Sequence, residues 1–178
     1  MDTIEGNRYC AICLLPKPSR AHHCSTCNKC CNYMDHHCPF TMNCVGQNNY
    51  RFFFSFVTWA WLATIYAFWL VYHPFSHCSE LDFQEMALCQ SWTGAKVKIF
   101  HVTVACVCVM SLFWFFVVYL LTTGQSTRAF LNKGSHDPLT VHRHRGVLYM
   151  LEFRLGRRGS WWRYLFPFAL SRLEALED

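Results

Sequence analysis

Two long apolar runs divide this chain into unlike parts. From Tyr50 to Tyr72 it reads YRFFFSFVTWAWLATIYAFWLVY, 23 residues with one charge, Arg51, near the start. From Ile99 to Leu121 it reads IFHVTVACVCVMSLFWFFVVYLL, with no charge. Each predicts a helix that is apolar all round. At about 1.5 Å per residue such a helix is about 34 Å long, enough to cross a bilayer core of about 30 Å. Buried in a soluble domain, the two would need more surrounding protein than 178 residues supply. The pattern predicts transmembrane helices over 50–72 and 99–121, a loop over 73–98 and a tail over 122–178.

Residues 1–49 carry a different pattern. Twelve cysteines are present, and eight fall between Cys10 and Cys44. Cys10, Cys13, His23 and Cys30 are spaced C-x2-C-x9-H-x6-C. Cys24, Cys27, His37 and Cys44 repeat that spacing fourteen residues on. Three thiolates and one imidazole make the ligand mix of a closed structural zinc site, so two Zn²⁺ are predicted. The second set begins inside the first, so the two sites interleave. A framework of disulfides would leave the repeated histidines unexplained. Pro16, Pro18 and Pro39 break helices, so short hairpins and loops held by metal are expected. The fold class is therefore membrane α-helical, with two transmembrane helices and a zinc-stabilised cysteine-rich module.

Charge orients the molecule. Residues 122–178 carry nine Lys and Arg against five acids, and residues 1–51 carry five basic residues. The loop over 73–98 has only Lys96 and Lys98 against Glu80, Asp82 and Glu85. The basic sides face the cytosol, so both termini and the zinc module are expected there. The loop is then lumenal or extracellular, and Cys78 and Cys89 could pair in it. The opening MDTIEGN is acidic and polar, so no signal peptide is expected. The basic excess is small and the aromatics lie in the spans, which argues against nucleic acid as a partner.

After two complete ligand sets, His22, Cys31, His36 and Cys38 remain in the module. Cys38 falls where a third copy of the repeat would begin, but no third copy is expected to follow. In an extended chain, side chains two apart share a face, so His36 and Cys38 can meet while His37 faces its metal. A histidine beside a thiol can take its proton or hold it as a thiolate. Asp35 can orient His36, or it can support the metal ligand His37. Cys38 itself is either a nucleophile or an inert thiol, and the residues alone do not separate these. Five residues lie between Cys44 and Tyr50, so the module is expected on the membrane face. A reactive thiol there meets acyl thioesters and the cysteines of membrane-associated proteins.

Cys10 to Asn49 resembles the cysteine-rich domain of the DHHC protein S-acyltransferases, or palmitoyltransferases. The matching residues are K-P-x-R at Lys17–Arg20, H-H-C at His22–Cys24, D-H-H-C-P at Asp35–Pro39, N-C-V-G at Asn43–Gly46, and Asn49. Thr122-Thr123 resembles the family's T-T-x-E element. The resemblance implies a two-step reaction. Cys38 would attack a fatty acyl-CoA with His36 as base and Asp35 as its orienter, and the acyl group, palmitoyl by expectation, would then pass to a protein cysteine. Lys17, Arg20 and His22 match positions facing the CoA phosphates. Phe40 stands in place of the usual Trp and is expected against the acyl chain. Gln125 stands in place of the usual acid. The two further spans that the family carries ahead of its cysteine-rich domain are expected to be absent, as in a fragment, a short isoform, or a chain that borrows helices.

The implied partners are acyl-CoA, membrane-associated protein substrates and membrane lipids, in an ER or Golgi membrane. A rival of another class is a silent membrane adaptor whose zinc module only binds proteins. In the tail, HRHR at His142–Arg145 makes no complete ligand set, and Trp161–Phe166 has the composition of an interfacial segment.

Overall fold

The computed structural model describes residues 8–17, 21–80, 93–131 and 145–156. The expected pairing of Cys78 with Cys89, the role of Arg20, and the interfacial segment Trp161–Phe166 lie outside the residues, or side chains, so described. Six short strands come first: β1 Arg8–Cys10, β2 Leu15–Lys17, β3 Ala21–Cys24, β4 Lys29–Asn32, β5 His36–Cys38 and β6 Asn43–Val45. Among the described residues four helices follow: α1 Tyr50–Glu80, α2 Thr93–Thr123, α3 Thr127–Leu131 and α4 Val147–Leu155.

The strands pair as three separate antiparallel hairpins, β1-β2, β3-β4 and β5-β6. Registers run Cys10↔Leu15, Cys24↔Lys29 and Cys38↔Asn43 at the turn ends. Each turn carries one non-glycine residue in the left-handed region: Leu14 (φ 53°), Asn28 (φ 50°) and Met42 (φ 49°). These are spaced by fourteen residues, so the repeat read from the ligands is also a repeat of the backbone. The third hairpin corrects the expectation that no third copy follows Cys38. It was hidden in the sequence because Thr41 stands where Cys13 and Cys27 stand in the first two. Gly46 follows β6 where a Cβ would lie 2.6 Å from Cys31 Sγ and 2.7 Å from Asn32 O, so only glycine fits.

Contacts divide the chain into two compact units, Met1–Ser55 with Val117–Asp178, and Phe56–Phe116. In the first, Val45, Tyr50, Phe53, Leu120, Leu121, Met150 and Leu155 are buried. α2 ends at Gly124 (φ 66°), and the Gln125 N–H donates back to Leu120 O at 3.1 Å, a left-handed helix stop. Ser126 then caps α3, its Oγ accepting from the Ala129 N–H at 3.2 Å. This turn delivers the start of α3 to the β5-β6 hairpin.

In the second unit, α1 and α2 run antiparallel. Trp61 Nε1 donates to Ser111 Oγ at 2.9 Å, and Trp114 Nε1 donates to Thr58 Oγ1 at 3.1 Å. The two indoles stack at 4.4 Å. Outward residues stay apolar and bare: Trp69 is 63% exposed and Leu112 73%. That is the surface of helices solvated by lipid. Among the described residues, two segments are long and apolar enough to cross a membrane, Tyr50–His73 and Val97–Thr123. Both helices outrun the apolar runs, α1 to Glu80 and α2 from Thr93, so both ends of the expected loop are helical.

Candidate metal centres and thiol site

The hairpins bring the two ligand sets together as the spacing requires. In each, the four donor atoms lie within 4.8 Å of one another. His23 Nδ1 is 3.5 Å from Cys10 Sγ, 3.3 Å from Cys13 Sγ and 3.9 Å from Cys30 Sγ, and the Cys13 and Cys30 sulfurs are 3.8 Å apart. His37 Nδ1 is 3.7 Å from Cys24 Sγ, 3.3 Å from Cys27 Sγ and 3.9 Å from Cys44 Sγ. A tetrahedral Zn²⁺ with ordinary bond lengths has edges of about 3.6 Å (S–N) and about 3.8 Å (S–S), so both sets fit such an ion.

The thiols also call for a cation. Burial, with Cys10 and Cys13 alongside, pushes the Cys30 thiol up to about 11. Burial, with Cys27 and Cys24 alongside, pushes Cys44 up to about 12. Three thiolates this close repel one another, and a divalent ion removes that cost. The β3-β4 hairpin serves both centres, giving His23 and Cys30 to the first and Cys24 and Cys27 to the second.

Cys38 belongs to neither cluster. It ends β5 at 5% exposure, in the same backbone setting as Cys10 and Cys24. In those two turns the sulfur accepts N–H groups from the residues two and three further on. At Cys38 the corresponding donors are the N–H groups of Phe40 and Thr41. Burial pushes the Cys38 thiol up, but the Thr41 hydroxyl, these N–H groups and His36 together bring it below its ordinary value. The site is a metal knuckle whose sulfur is held by hydrogen bonds instead of a metal.

His36 and Asp35 complete the arrangement. The His36 Nδ1–H donates to Asp35 Oδ2 at 2.9 Å, and the His36 ring packs edge-on against Phe53 at 4.9 Å. Burial lowers the imidazole's proton affinity, but Asp35 and then Cys38 raise it to a net position above the usual value. Asp35 is 3% exposed, and every side of its carboxylate is occupied. Oδ2 also accepts from Thr127 Oγ1 at 2.6 Å, while Oδ1 accepts from the Thr127 N–H at 3.3 Å and from the Arg154 guanidinium at 3.1 Å. Burial works against its ionisation, yet the bonds from His36, Arg154 and Thr127 hold it below the usual carboxylate range. Of the two neighbouring histidines that the residues alone left open, it is His36 that hydrogen-bonds to Asp35.

The family model for DHHC palmitoyltransferases matches residues 3–134. The chain belongs to that family. It is 35% identical over 147 residues to protein S-acyltransferase 8 of Arabidopsis thaliana, covering 78% of this chain and 34% of the relative. It is 47% identical over 73 residues to palmitoyltransferase ZDHHC3 of Rattus norvegicus, covering 41% of this chain and 24% of that one. It is 33% identical over 144 residues to palmitoyltransferase erf2 of Emericella nidulans, covering 78% and 23%. The match thus spans between about a quarter and a third of these relatives' length. The chain is accordingly a membrane protein of this family.

Against the family pattern, some expected residues converge and others do not. Asp35, His36 and Cys38 meet, and the eight metal ligands form two groups. Phe40 is 90% exposed in the turn just past Cys38. Lys17 and His22 sit on different hairpins, on β2 and β3. Thr122 and Thr123 do not reach the site: their hydroxyls donate to carbonyls of their own helix, Thr122 to Val118 O at 2.9 Å and Thr123 to Tyr119 O at 2.7 Å. The threonine on Asp35 is Thr127, four residues further on. Arg154 was missed too, since it lies 119 residues from Asp35 in the tail and no local spacing connects them.

Proposed function

We propose that the chain is a protein S-acyltransferase that moves a long-chain acyl group, palmitoyl by preference, from acyl-CoA to protein cysteines through a thioester on Cys38. The observation that carries this reading is the thiol of Cys38, outside both metal clusters and hydrogen-bonded to a histidine that Asp35 orients. The Cys38 thiolate attacks the thioester carbonyl of acyl-CoA, forming a new C–S bond as the bond to CoA sulfur breaks. The CoA thiolate leaves with the proton held by His36. In the second step His36 takes the proton of a substrate thiol, whose sulfur attacks the Cys38 thioester and regenerates the free thiolate. Two structural Zn²⁺, bound by the Cys10 and Cys24 sets, keep the hairpins folded and take no part in bond exchange.

The remaining roles rest on the family resemblance and on the charge pattern of the sequence. Lys17, Arg20 and His22 supply donors for the CoA phosphates. The exposed Phe40 ring meets the acyl chain. The module, residues 1–49, and both termini face the cytosol, with 73–98 on the other side of an ER or Golgi membrane. Membrane lipids surround the spans 50–72 and 99–121, and the protein substrates carry cysteines close to the bilayer.

A burst experiment tests the reading. On mixing with palmitoyl-CoA, the chain is expected to release close to one equivalent of CoA rapidly, then to turn over slowly until a cysteine peptide is added. Cys38→Ser should show no burst. A burst that survives in Cys38→Ser, or no CoA release from a zinc-replete wild-type chain, would overturn it.

A further inference from the structure

We propose that Arg154 is a positioning residue for acyl transfer: its guanidinium fixes the carboxylate of Asp35, which in turn orients His36. The role rests on the reading that Cys38 and His36 carry the chemistry.

The geometry is that of a buried fork. The Arg154 and Asp35 side chains are each 4% exposed. Arg154 NH1 donates to Asp35 Oδ1 at 3.1 Å, and NH2 donates to the Gln125 carbonyl at 2.9 Å. Its carbon lies 4.3 Å above the Tyr50 ring. One planar cation thus faces the residue that precedes β5, the link between α2 and α3, and the first residue of α1. A lysine could meet one of these acceptors but not two at fixed angles.

Asp35 has other donors, but among the described residues only Arg154 brings it a permanent positive charge. Thr127 is neutral, and His36 must give and take its proton during each cycle. A buried carboxylate oxygen left without a donor is costly, so the Arg154 bond fixes where the carboxylate sits. Without Arg154 the carboxylate would lose a bond on Oδ1 and could turn about its axis, loosening its hold on the His36 Nδ1–H. That loss falls on the reacting geometry rather than on acyl-CoA binding, because Arg154 lies behind Asp35 and away from Cys38 in the hydrogen-bond order. Arg154 stands on α4, so that helix becomes part of the site.

The test uses the full chain in detergent with palmitoyl-CoA, reading the rate of the CoA burst. Arg154→Ala is expected to keep two zinc ions and the wild-type half-saturating acyl-CoA concentration, while its burst slows about 10- to 100-fold, the range for losing a hydrogen bond to a charged group. Added guanidinium ion should restore part of the rate. In an Asp35→Asn background the same change should cost nothing further, because Arg154 acts through Asp35. If Arg154→Ala loses zinc, Arg154→Lys serves in its place and should fall between the two. A wild-type rate in Arg154→Ala, or the same fractional loss again in the Asp35→Asn background, would overturn the proposal. A wild-type chain with no burst would instead overturn the reading of Cys38.

Discussion

Thr41 follows Cys38 by three residues, as Cys13 follows Cys10 and Cys27 follows Cys24, and it takes the same place in the turn. In the first two turns that place supplies a second sulfur for a metal. In the third it supplies a hydroxyl and an N–H to the lone thiol. One substitution within a repeated backbone thus separates a structural knuckle from a thiol available for chemistry. Removing only the hydroxyl should weaken the thiolate without opening the hairpin. Thr41→Val is expected to slow alkylation of Cys38 by iodoacetamide at neutral pH about 3-fold, toward the low end for one exposed hydrogen bond, with the zinc content unchanged. Equal alkylation rates would remove the hydroxyl from the account.

The different partners of the three threonines around the end of α2 have a measurable consequence. Thr127→Val deletes the 2.6 Å bond to Asp35, whereas Thr122→Val and Thr123→Val delete only bonds to their own helix. Acyl-enzyme formation should fall about 10-fold in the first and change little in the other two. The opposite ranking would contradict the role given to the Thr127–Asp35 bond.

Metal removal should act on both centres together. β3-β4 gives ligands to each, so losing one ion frees strands that position the other. Cys10→Ala is expected to reduce bound zinc from two per chain and to expose the module to protease, since a structural zinc contributes about 10 to 16 kcal/mol, as much as a whole domain's stability. Normal zinc content in Cys10→Ala would contradict the ligand assignment. Cys31→Ala, next to a ligand but in neither set, should leave the metal in place.

The helix pair offers a test independent of the thiol. A double-mutant cycle on Trp61→Phe and Ser111→Ala should give a coupling of about 0.6 kcal/mol, as is usual for one hydrogen bond between membrane helices. A coupling near zero would mean that the 2.9 Å contact adds nothing to helix association.

How far the sequence could be read depended on the range of the signal. The metal sets were legible because a fourteen-residue spacing is local and metal chemistry restricts the donor types. The helices were legible because an uncharged run longer than a bilayer core is hard to place elsewhere. The third hairpin was hidden because Thr41 is not a ligand, so a search for sulfur and imidazole stops at Cys38. Thr127 and Arg154 were hidden for another reason. They reach Asp35 across 92 and 119 residues, and no periodicity joins positions so far apart. A buried carboxylate in a motif rich in histidine does ask for a cation, but the tail offers several arginines and the sequence does not choose among them.

The central claim is that eight side chains hold metal while a ninth, Cys38, is left to react. Native mass spectrometry after incubation with palmitoyl-CoA addresses it most directly. The wild-type chain should carry two zinc ions and one acyl group, mapped to the peptide containing Cys38 and removed by neutral hydroxylamine, while Cys38→Ala should carry two zinc ions and no acyl group. An acyl group on one of the eight cluster residues, or loss of zinc on replacing Cys38, would contradict the account.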